Sequence, residues 1–255
     1  MGRHALVRPP GCSFARALSG HPERATIDPR KALRQHAAYV AALAALVQVV
    51  ALPAQEDLPD ACFVDDCAVV LGDRALLARP GAPSRAAEPG RLRPALAALV
   101  AEVRPMAPPA TLDGGDVLRL GRTLVVGASA RTNRAGVEQL AGFARACGLE
   151  LAVAAVPPGV LHLQTLVTAI AADAVVGSAA MLDRPPFRSV ARRVVVPPEE
   201  APACNVLAVG STVVLPAGCP RTAAAVGALG FEVREVDLGE FHKADGGATC
   251  LSLLV

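Results

Sequence analysis

The chain has 255 residues, a net charge of +2 and 53% hydrophobic residues, with one Tyr and no Trp. Such a length can bury a large core, and we expect a single domain spanning residues 1–255. The charge offers no basic stripe for phosphates, and aromatic side chains that stack on bases are nearly absent. Nucleic acid is therefore not expected as a partner.

The cysteine pattern and the N-terminus bear on location. Seven cysteines are spread along the chain, with no C-x-x-C pair and no histidine spaced to complete a zinc site. This favours reduced thiols, a cytoplasmic protein and no metal. The opening "MGRHALVRPPG" meets Pro and Gly before any apolar run, which does not fit a signal peptide.

An alanine-rich stretch at 37–52 is the most apolar segment of the chain. It is shorter than the ~20 residues that cross a bilayer. Asp28 and Pro29 are typical of a helix start. One helix face carries residues spaced by four, three and four, namely His36, Val40, Leu43 and Val47. The pattern predicts a buried helix running into a strand, and no membrane span.

A repeated unit organises the rest of the chain. An apolar run, a two-residue turn, a second apolar run and a glycine recur at 63–81, 112–129, 161–179 and 203–218. This plan predicts four β-hairpins. Their turns fall at Gly72-Asp73, Gly121-Arg122, Ala172-Asp173 and Gly210-Ser211.

Each hairpin is followed by a helical pattern and a further apolar run. The helices are predicted at 91–103, 134–147 and 220–229, with a short one near 178–190 that Pro185-Pro186 breaks. Further strands follow at 151–157, 192–197 and 231–237. The segments "HALVRPP" and "TCLSLLV" at the two ends have no partner, and pairing them removes two exposed edges. The sequence predicts an α/β ring of five ββαβ-type units with pseudo-five-fold symmetry.

Several chemically active residues fall at one point of this unit, the start of the first hairpin strand. They are Asp65, Asp113, His162 and Cys250. Cys250 follows a Gly-Gly turn that suits access, and is a candidate nucleophile. His162 is a candidate proton shuttle, and Asp113, better placed than Asp116, could orient its ring. The alternative is that Cys250 and His162 are ordinary core residues.

Charged residues around the hairpins suggest a ligand. Asp60, Asp65 and Asp66 lie in an apolar segment, where buried carboxylates need a cation. That cation could be Arg or Lys of the protein, a metal, or a guanidinium or ammonium on a ligand. Arg85 and Arg131 follow two hairpins and could clamp one carboxylate. Together these groups describe an amino-acid-like ligand of the arginine type.

Six ordered motifs carry a family resemblance: "PDACFVDDCAVV", "RPGAPSR", "TLDGGDVL", "GASARTN", "LHLQT" and "KADGGATCLS". The chain resembles the dimethylarginine dimethylaminohydrolases of the guanidino-group-modifying superfamily from about Leu18 to Val255. The resemblance implies a five-bladed α/β propeller, the pentein fold. It also implies hydrolysis of N-omega-methylated arginine to citrulline and methylamine or dimethylamine, without a cofactor.

The matching motifs also imply residue roles. Cys250 would be the nucleophile, His162 the acid and base, and Asp113 its orienting carboxylate. The substrate's cationic groups would meet Asp60, Asp65 and Asp66; its α-carboxylate would meet Arg85 and Arg131; its amino end would meet the backbones of Leu18 and Ala244. Asp245 and the adjacent Gly-Gly turn form a candidate substrate-side loop. Residues 16–29 are expected to act as a lid.

Other readings remain open. Asp65 stands where the family commonly has Glu, so its reach to the ligand is shorter by a methylene. The rivals are a deiminase of arginine, agmatine or another guanidine, an amidinotransferase, and a non-catalytic propeller that binds a partner. A small guanidino compound is the expected partner of the site, and a homodimer is allowed.

Overall fold

The computed structural model describes residues 4–255, in which fifteen strands form five three-stranded sheets. The strands are β1 (His4–Val7), β2 (Gln48–Ala51), β3 (Ala68–Leu71), β4 (Arg74–Leu77), β5 (Glu102–Pro105), β6 (Val117–Leu120), β7 (Thr123–Ala128), β8 (Glu150–Ala155), β9 (Val167–Ala171), β10 (Ala174–Ser178), β11 (Arg192–Val196), β12 (Leu207–Val209), β13 (Thr212–Pro216), β14 (Glu232–Val236) and β15 (Ser252–Leu254). The helices are α1 (Pro29–Ala44), α2 (Glu88–Ala97), α3 (Arg134–Ala146), α4 (Ala179–Leu182), α5 (Pro220–Ala228) and α6 (Gly239–His242).

All five sheets share one topology, in which the middle strand is antiparallel to one neighbour and parallel to the other. The four predicted hairpins are confirmed, as β3-β4, β6-β7, β9-β10 and β12-β13. Three of their turns begin with a glycine at positive φ, namely Gly72, Gly121 and Gly210. Such a conformation strains other residues, so the turn glycines fix the hairpin positions.

The two ends of the described chain close the ring, as predicted. Strand β1 lies between β15 and β2, with Ala5 opposite Leu254 in the antiparallel pair. The backbone N–H of His4 donates to Val255 O at 2.9 Å, and that of Val255 donates to His4 O at 2.8 Å. The fifth hairpin is therefore assembled from segments about 250 residues apart, and it leaves neither segment as a lone strand.

Side chains alternate between the two faces of each sheet, and this alternation builds the ring. Leu76 packs with strands β6 and β7 and helix α3, whereas the next residue, Leu77, packs with β1, β15 and helix α2. Within residues 4–255 the buried residues form five clusters, and each cluster lies between two neighbouring sheets. A five-bladed α/β propeller results, with its core divided among the contacts between blades.

The helices begin where local chemistry allows. Asp28 precedes α1 and its side chain accepts a hydrogen bond from Arg30 N at 2.8 Å, with Pro29 as the first helical residue. The predicted helix at 91–103 is wrong at both ends. Helix α2 starts at Glu88 and stops at Ala97, because the following residues form strand β5, which pairs with β4.

The apolar stretch at 37–52 divides between α1 and β2, as expected. His36 and Leu43 are buried on the inner face of α1, while Val40 is half-buried. Among the described residues, no helix combines the length and hydropathy that crossing a membrane requires.

A candidate active site among the central turns

The first strand of each predicted hairpin begins later than its sequence pattern suggests. Five short 3-10 turns, called here the central turns, lie just ahead of β3, β6, β9, β12 and β15. They are Val64–Cys67, Gly114–Asp116, Leu163–Thr165, Pro198–Cys204 and Thr249–Leu251. Asp65 and Cys250 lie within such turns, and Asp113 and His162 directly precede one. The prediction that these residues start a strand is therefore corrected: their turns bring them together near the axis of the ring.

Side-chain oxygens link neighbouring central turns. Asp66 accepts a hydrogen bond from Gly115 N at 2.9 Å, and Asp116 accepts one from Leu163 N at 3.0 Å. Asn205, directly after its turn, accepts one from Thr249 N at 2.8 Å. These bonds satisfy buried backbone donors that belong to no strand ladder. They also fix the turns relative to one another.

One small cavity collects most of the predicted site residues. Its volume is about 20 Å³. Nine predicted residues line it: Leu18, Asp60, Asp66, Arg85, Arg131, His162, Ala244, Asp245 and Cys250. Phe63, Leu161 and Gly246 complete the wall. Asp65 and Asp113 do not line it. The cavity holds about one water molecule, so any larger ligand requires the wall to open.

Cys250 is 7% exposed at the cavity wall. Its Sγ accepts a hydrogen bond from Gly247 N at 3.3 Å and lies 3.8 Å from Asn205 Nδ2. Burial, reinforced by the carboxylate of Asp66, raises the pKa of Cys250 to about 12. This cysteine is therefore a neutral thiol at pH 7, and a cation placed beside it would favour the thiolate.

His162 and Asp113 form the predicted pair. His162 Nε2 lies 2.9 Å from Asp113 Oδ2, and both side chains are buried. The other ring nitrogen, Nδ1, is 3.8 Å from Asp66 Oδ1. Burial disfavours the charged ring, but Asp66, Asp113 and Asp116 outweigh it and raise the pKa of His162 above its usual value. His162 can therefore enter a reaction protonated, as an acid.

Arg85 is held by protein carboxylates. Its Nε and Nη2 donate to Glu88 at 2.8–3.2 Å, and its Nη1 donates to Asp66 Oδ2 at 2.5 Å. Nη2 also reaches Phe63 O at 3.2 Å. Arg85, Asp66 and Glu88 are each at most 3% exposed. Of the five N–H groups of this guanidinium, the described residues leave one on Nη1 for a ligand.

Asp66 stays ionised because of these contacts. Burial opposes its charge, but His162 and Arg85 lower the pKa of Asp66 below its ordinary value. The buried carboxylate thus lies between two cationic or potentially cationic groups. It also faces the cavity, where a ligand cation would find a fixed negative charge.

Arg131 is the freer of the two predicted arginines. Its side chain is 18% exposed, and its Nη1 lies 3.5 Å from Asp113 Oδ2. A ligand carboxylate could therefore approach Arg131 with little competition from the protein.

The predicted lid segment is fastened over the cavity by hydrogen bonds. Leu18 N donates to Asp60 Oδ1 at 2.9 Å, and Gly20 N donates to Asp245 Oδ2 at 2.6 Å. Ser19 Oγ donates to Lys243 O at 2.8 Å. Asp245 has a positive φ of 55°, unusual for a residue other than glycine. The contacts of Ser19 and Gly20 join residues 16–29 to the loop that carries the predicted Gly-Gly turn.

Asp65 lies apart from this cavity. Together with residues of one strand from each sheet, namely β3, β6, β9, β12 and β15, it lines a second cavity of about 270 Å³. Its Oδ2 is buried without a hydrogen-bond partner among the described residues. Burial and the neighbouring Asp66 raise the pKa of Asp65 well above its ordinary value.

Three site residues were not predicted in their roles. Glu88 neutralises Arg85, Asp116 holds the turn beside His162, and Asn205 faces Cys250. Glu88 gave no signal, because it lies in a stretch that resembles an exposed helix start. Asp116 and Asn205 could have been found by aligning the repeated units, since both lie five residues before the first residue of a hairpin turn, Gly121 and Gly210.

Asp66, Asp113 and His162 place potential metal ligand atoms within 4.8 Å of one another. The direct 2.9 Å contact between His162 and Asp113 and the ion pair between Asp66 and Arg85 already account for these charges. The cluster therefore fits a hydrogen-bonded acid and base better than a metal centre.

Comparison with known proteins places the chain in a family. Residues 56–199 match the arginine deiminase family model. A dimethylarginine dimethylaminohydrolase from Streptomyces coelicolor is 42% identical over 98% of this chain and 96% of its own length. The enzyme of the same name from Pseudomonas aeruginosa is 33% identical over 99% of both chains.

Solved structures agree with these sequence matches. The Pseudomonas aeruginosa enzyme, as a cysteine-to-serine variant in complex with citrulline, superposes with a TM-score of 0.94 at 32% identity over both whole chains. A histidine-to-glycine variant carrying an S-methyl-L-thiocitrulline adduct gives the same score and coverage. The five-sheet propeller is thus the pentein fold, and the chain belongs to the dimethylarginine dimethylaminohydrolase family.

Proposed function

We propose that this protein hydrolyses N-omega-methylated arginine to citrulline and methylamine or dimethylamine. The observation that carries the proposal is that Cys250 and His162 line one cavity together with Asp66, in a chain of this family. A thiol, an acid and base, and a fixed anion are the groups that attack on a guanidinium requires.

Substrate binding follows from the charges around the cavity. The guanidinium lies beside Asp66, and the α-carboxylate meets Arg131 and the remaining N–H of Arg85. The amino end meets Asp60 and the backbones of Leu18 and Ala244. Because the closed cavity is so small, entry requires residues 16–29 to release Asp245 and Asp60.

The bound cation then activates the nucleophile. A guanidinium beside Cys250 lowers the pKa of its thiol, and the proton leaves as the substrate binds. The thiolate adds to the guanidinium carbon and forms a tetrahedral adduct. Protonated His162 gives its proton to the departing amine, and a thiouronium ester remains on the sulfur.

Water completes the cycle. Neutral His162 takes a proton from a water molecule, and the resulting hydroxide adds to the thiouronium carbon. The carbon–sulfur bond then breaks and the hydroxyl proton of the adduct passes to solvent, where the released amine takes it up. This frees citrulline and the Cys250 thiolate, and His162 keeps the proton that it took from water. Asp113 keeps the ring oriented and stabilises its charge in both halves.

The test is to supply dimethylarginine, monomethylarginine, arginine and agmatine separately, and to measure ureido product and released amine. We expect turnover of the methylated arginines, its loss in Cys250→Ser, and its retention in the control Cys147→Ser, whose half-buried thiol is not part of the cavity. An active Cys250→Ser protein would refute the mechanism.

A second candidate is a deiminase of arginine itself. The match of residues 56–199 to the arginine deiminase family model supports it. Arginine as the preferred substrate, with ammonia as the released amine, would replace the first proposal with this one. Agmatine is disfavoured because it has no carboxylate for Arg131.

We further propose a single catalytic domain over residues 1–255, a cytoplasmic location and a homodimeric assembly. All seven cysteines are free thiols, which suits a reducing compartment. Sedimentation at several protein concentrations tests the assembly, and a monomer at all concentrations would exclude the dimer.

A further inference from the structure

Asn205 lies in the fourth repeated unit and faces the nucleophile. It directly follows the central turn Pro198–Cys204 and is 7% exposed. Its Nδ2 lies 3.8 Å from Cys250 Sγ. The first, second, third and fifth units each supply an acid, a histidine or a cysteine to the site. Asn205 is what the fourth unit brings to the same centre.

The orientation of the Asn205 amide follows from its other contacts. Its Oδ1 accepts hydrogen bonds from Thr249 N at 2.8 Å and Thr249 Oγ1 at 3.0 Å. A backbone N–H can only donate, so the atom facing Thr249 must be the oxygen. The NH₂ group therefore faces the sulfur of Cys250.

Thr249 also shows how the sulfur contacts depend on protonation. Its Oγ1 lies 3.9 Å from Cys250 Sγ, but its hydroxyl proton is used by Asn205 Oδ1. A neutral Cys250 can donate its S–H to Thr249 Oγ1. Once the thiol loses this proton, the donors that remain directed at the sulfur are Gly247 N–H and the Asn205 amide.

We propose that Asn205 stabilises the thiolate form of Cys250 by donating an N–H from its fixed side-chain amide, together with the backbone N–H of Gly247. The proposal rests on the proposed role of Cys250 as nucleophile and adds a residue to it. Hydrogen bonds to a charged group are stronger than those to a neutral one, so the contact gains strength when the thiol ionises. Asn205 therefore acts on the reactive form.

The repeat gives a reason for an amide at this point. Asp66 and Asp116, in the first two hairpin units, accept N–H groups from neighbouring turns just as Asn205 does. A carboxylate would fulfil this linking role equally well at 205. Beside Cys250, however, it would repel the thiolate, whereas the amide accepts from Thr249 and donates to the sulfur.

Gly247 leaves the space for this arrangement. A Cβ at position 247 would lie 2.4 Å from Asn205 Cγ, closer than any real contact. The second glycine of the Gly-Gly turn therefore lets the amide approach Cys250, and its own N–H supplies the other donor.

The test uses Asn205→Asp and Asn205→Leu. Asp keeps the acceptor for Thr249 but replaces the donor with a negative charge, and Leu removes both. We expect kcat to fall about tenfold for Leu and further for Asp, with the ascending limb of kcat against pH moved up by about one pH unit in Leu. KM should change little, because Asn205 does not line the cavity.

Thr168→Val is the matched control for local disturbance. Thr168 Oγ1 donates to Cys204 O at 3.0 Å and accepts from Val206 N at 3.3 Å, so it holds the backbone on both sides of Asn205 without touching the sulfur. We expect Thr168→Val to lower the melting temperature and to leave the pH profile of kcat in place.

Alkylation of Cys250 by iodoacetamide at about pH 9 reads the thiolate directly. Cleavage after Lys243 gives a peptide, 244–255, with Cys250 as its one cysteine, so mass spectrometry follows this thiol alone. We expect about tenfold slower alkylation in Asn205→Leu and slower still in Asn205→Asp. Loosened packing would admit water and reagent and speed the reaction, which is the opposite sign.

Equal or faster alkylation in Asn205→Asp, or an unmoved pH profile in both variants, would overturn the proposal. Its failure can be told from that of the proposed function. If methylarginines are hydrolysed and Cys250→Ser is inactive while Asn205 variants match the wild type, only the inference about Asn205 falls. If no methylarginine is hydrolysed, the alkylation rates still measure the contact.

Discussion

The contacts of Arg85 are those of an arginine that stabilises the fold. The sequence suggested a clamp on a substrate carboxylate, but Arg85 is 3% exposed and bound to Asp66 and Glu88. Arg85→Met would leave two carboxylates buried without their cation. Breaking a buried ion pair in this way costs about 3–5 kcal/mol. We expect Arg85→Met to lose about this much free energy of unfolding in the absence of any ligand.

Arg131→Met is the matched control. Its side chain is 18% exposed and has one ion pair, at 3.5 Å, so we expect a loss of at most about 1 kcal/mol. Urea unfolding followed by circular dichroism, without substrate, measures both variants on the same scale. Activity does not separate the two roles, because both variants would be impaired. If Arg85→Met were as stable as Arg131→Met, Arg85 would not be a structural residue.

Three further predictions concern other parts of the molecule. Burial lowers the pKa of His36 to about 4, so the unfolded chain binds the proton more readily and stability falls as the pH drops through 6.5. Between pH 6.5 and 5 the free energy of unfolding should fall by about 2 kcal/mol because of His36. Urea unfolding at the two pH values measures this loss, and His36→Leu should reduce it by that amount. An equal loss in His36→Leu and the wild type would contradict the prediction. Gly114→Ala should destabilise the protein by about 1–3 kcal/mol or more, because the added Cβ would lie 2.0 Å from Asp65 O. The control is Gly142→Ala on the exposed face of α3, which should stabilise slightly because nothing lies within 4 Å of its Cβ. Equal melting temperatures of the two variants would refute the close approach at Gly114. Asp113→Asn should lower kcat about a hundredfold or more with a smaller effect on KM, and a loss below tenfold would remove its orienting role.

The repeat in the sequence predicts most of the fold because its signals are local. Glycines such as Gly72 and Gly121 require a positive φ, and a two-residue turn between apolar runs leaves few other structures. The position of the central turns was missed, since "FVDDCAVV" reads as one apolar run although its first half is a 3-10 turn. Periodicity does not separate a tight turn from the strand that follows it.

The sequence identified most of the residues of the site, but not the contacts that they make with one another. Nine of the eleven proposed residues line the cavity, because the family motifs carry their identities. The pairing of Arg85 with Glu88 depends on burial, which a single sequence does not give. Asp65 was expected to contact the ligand but lines the second cavity instead.

The pairing of β1 with β15 has a consequence for how the protein could be encoded. Since the described ends meet in one sheet, the point at which the chain starts can change while the cyclic order of the five units stays the same. A rearranged gene that joins these ends by a short linker and opens at another exposed turn, such as Gly72-Asp73, would specify the same circle of contacts. The nucleophile would then lie in the interior of the chain, at an unchanged position in space.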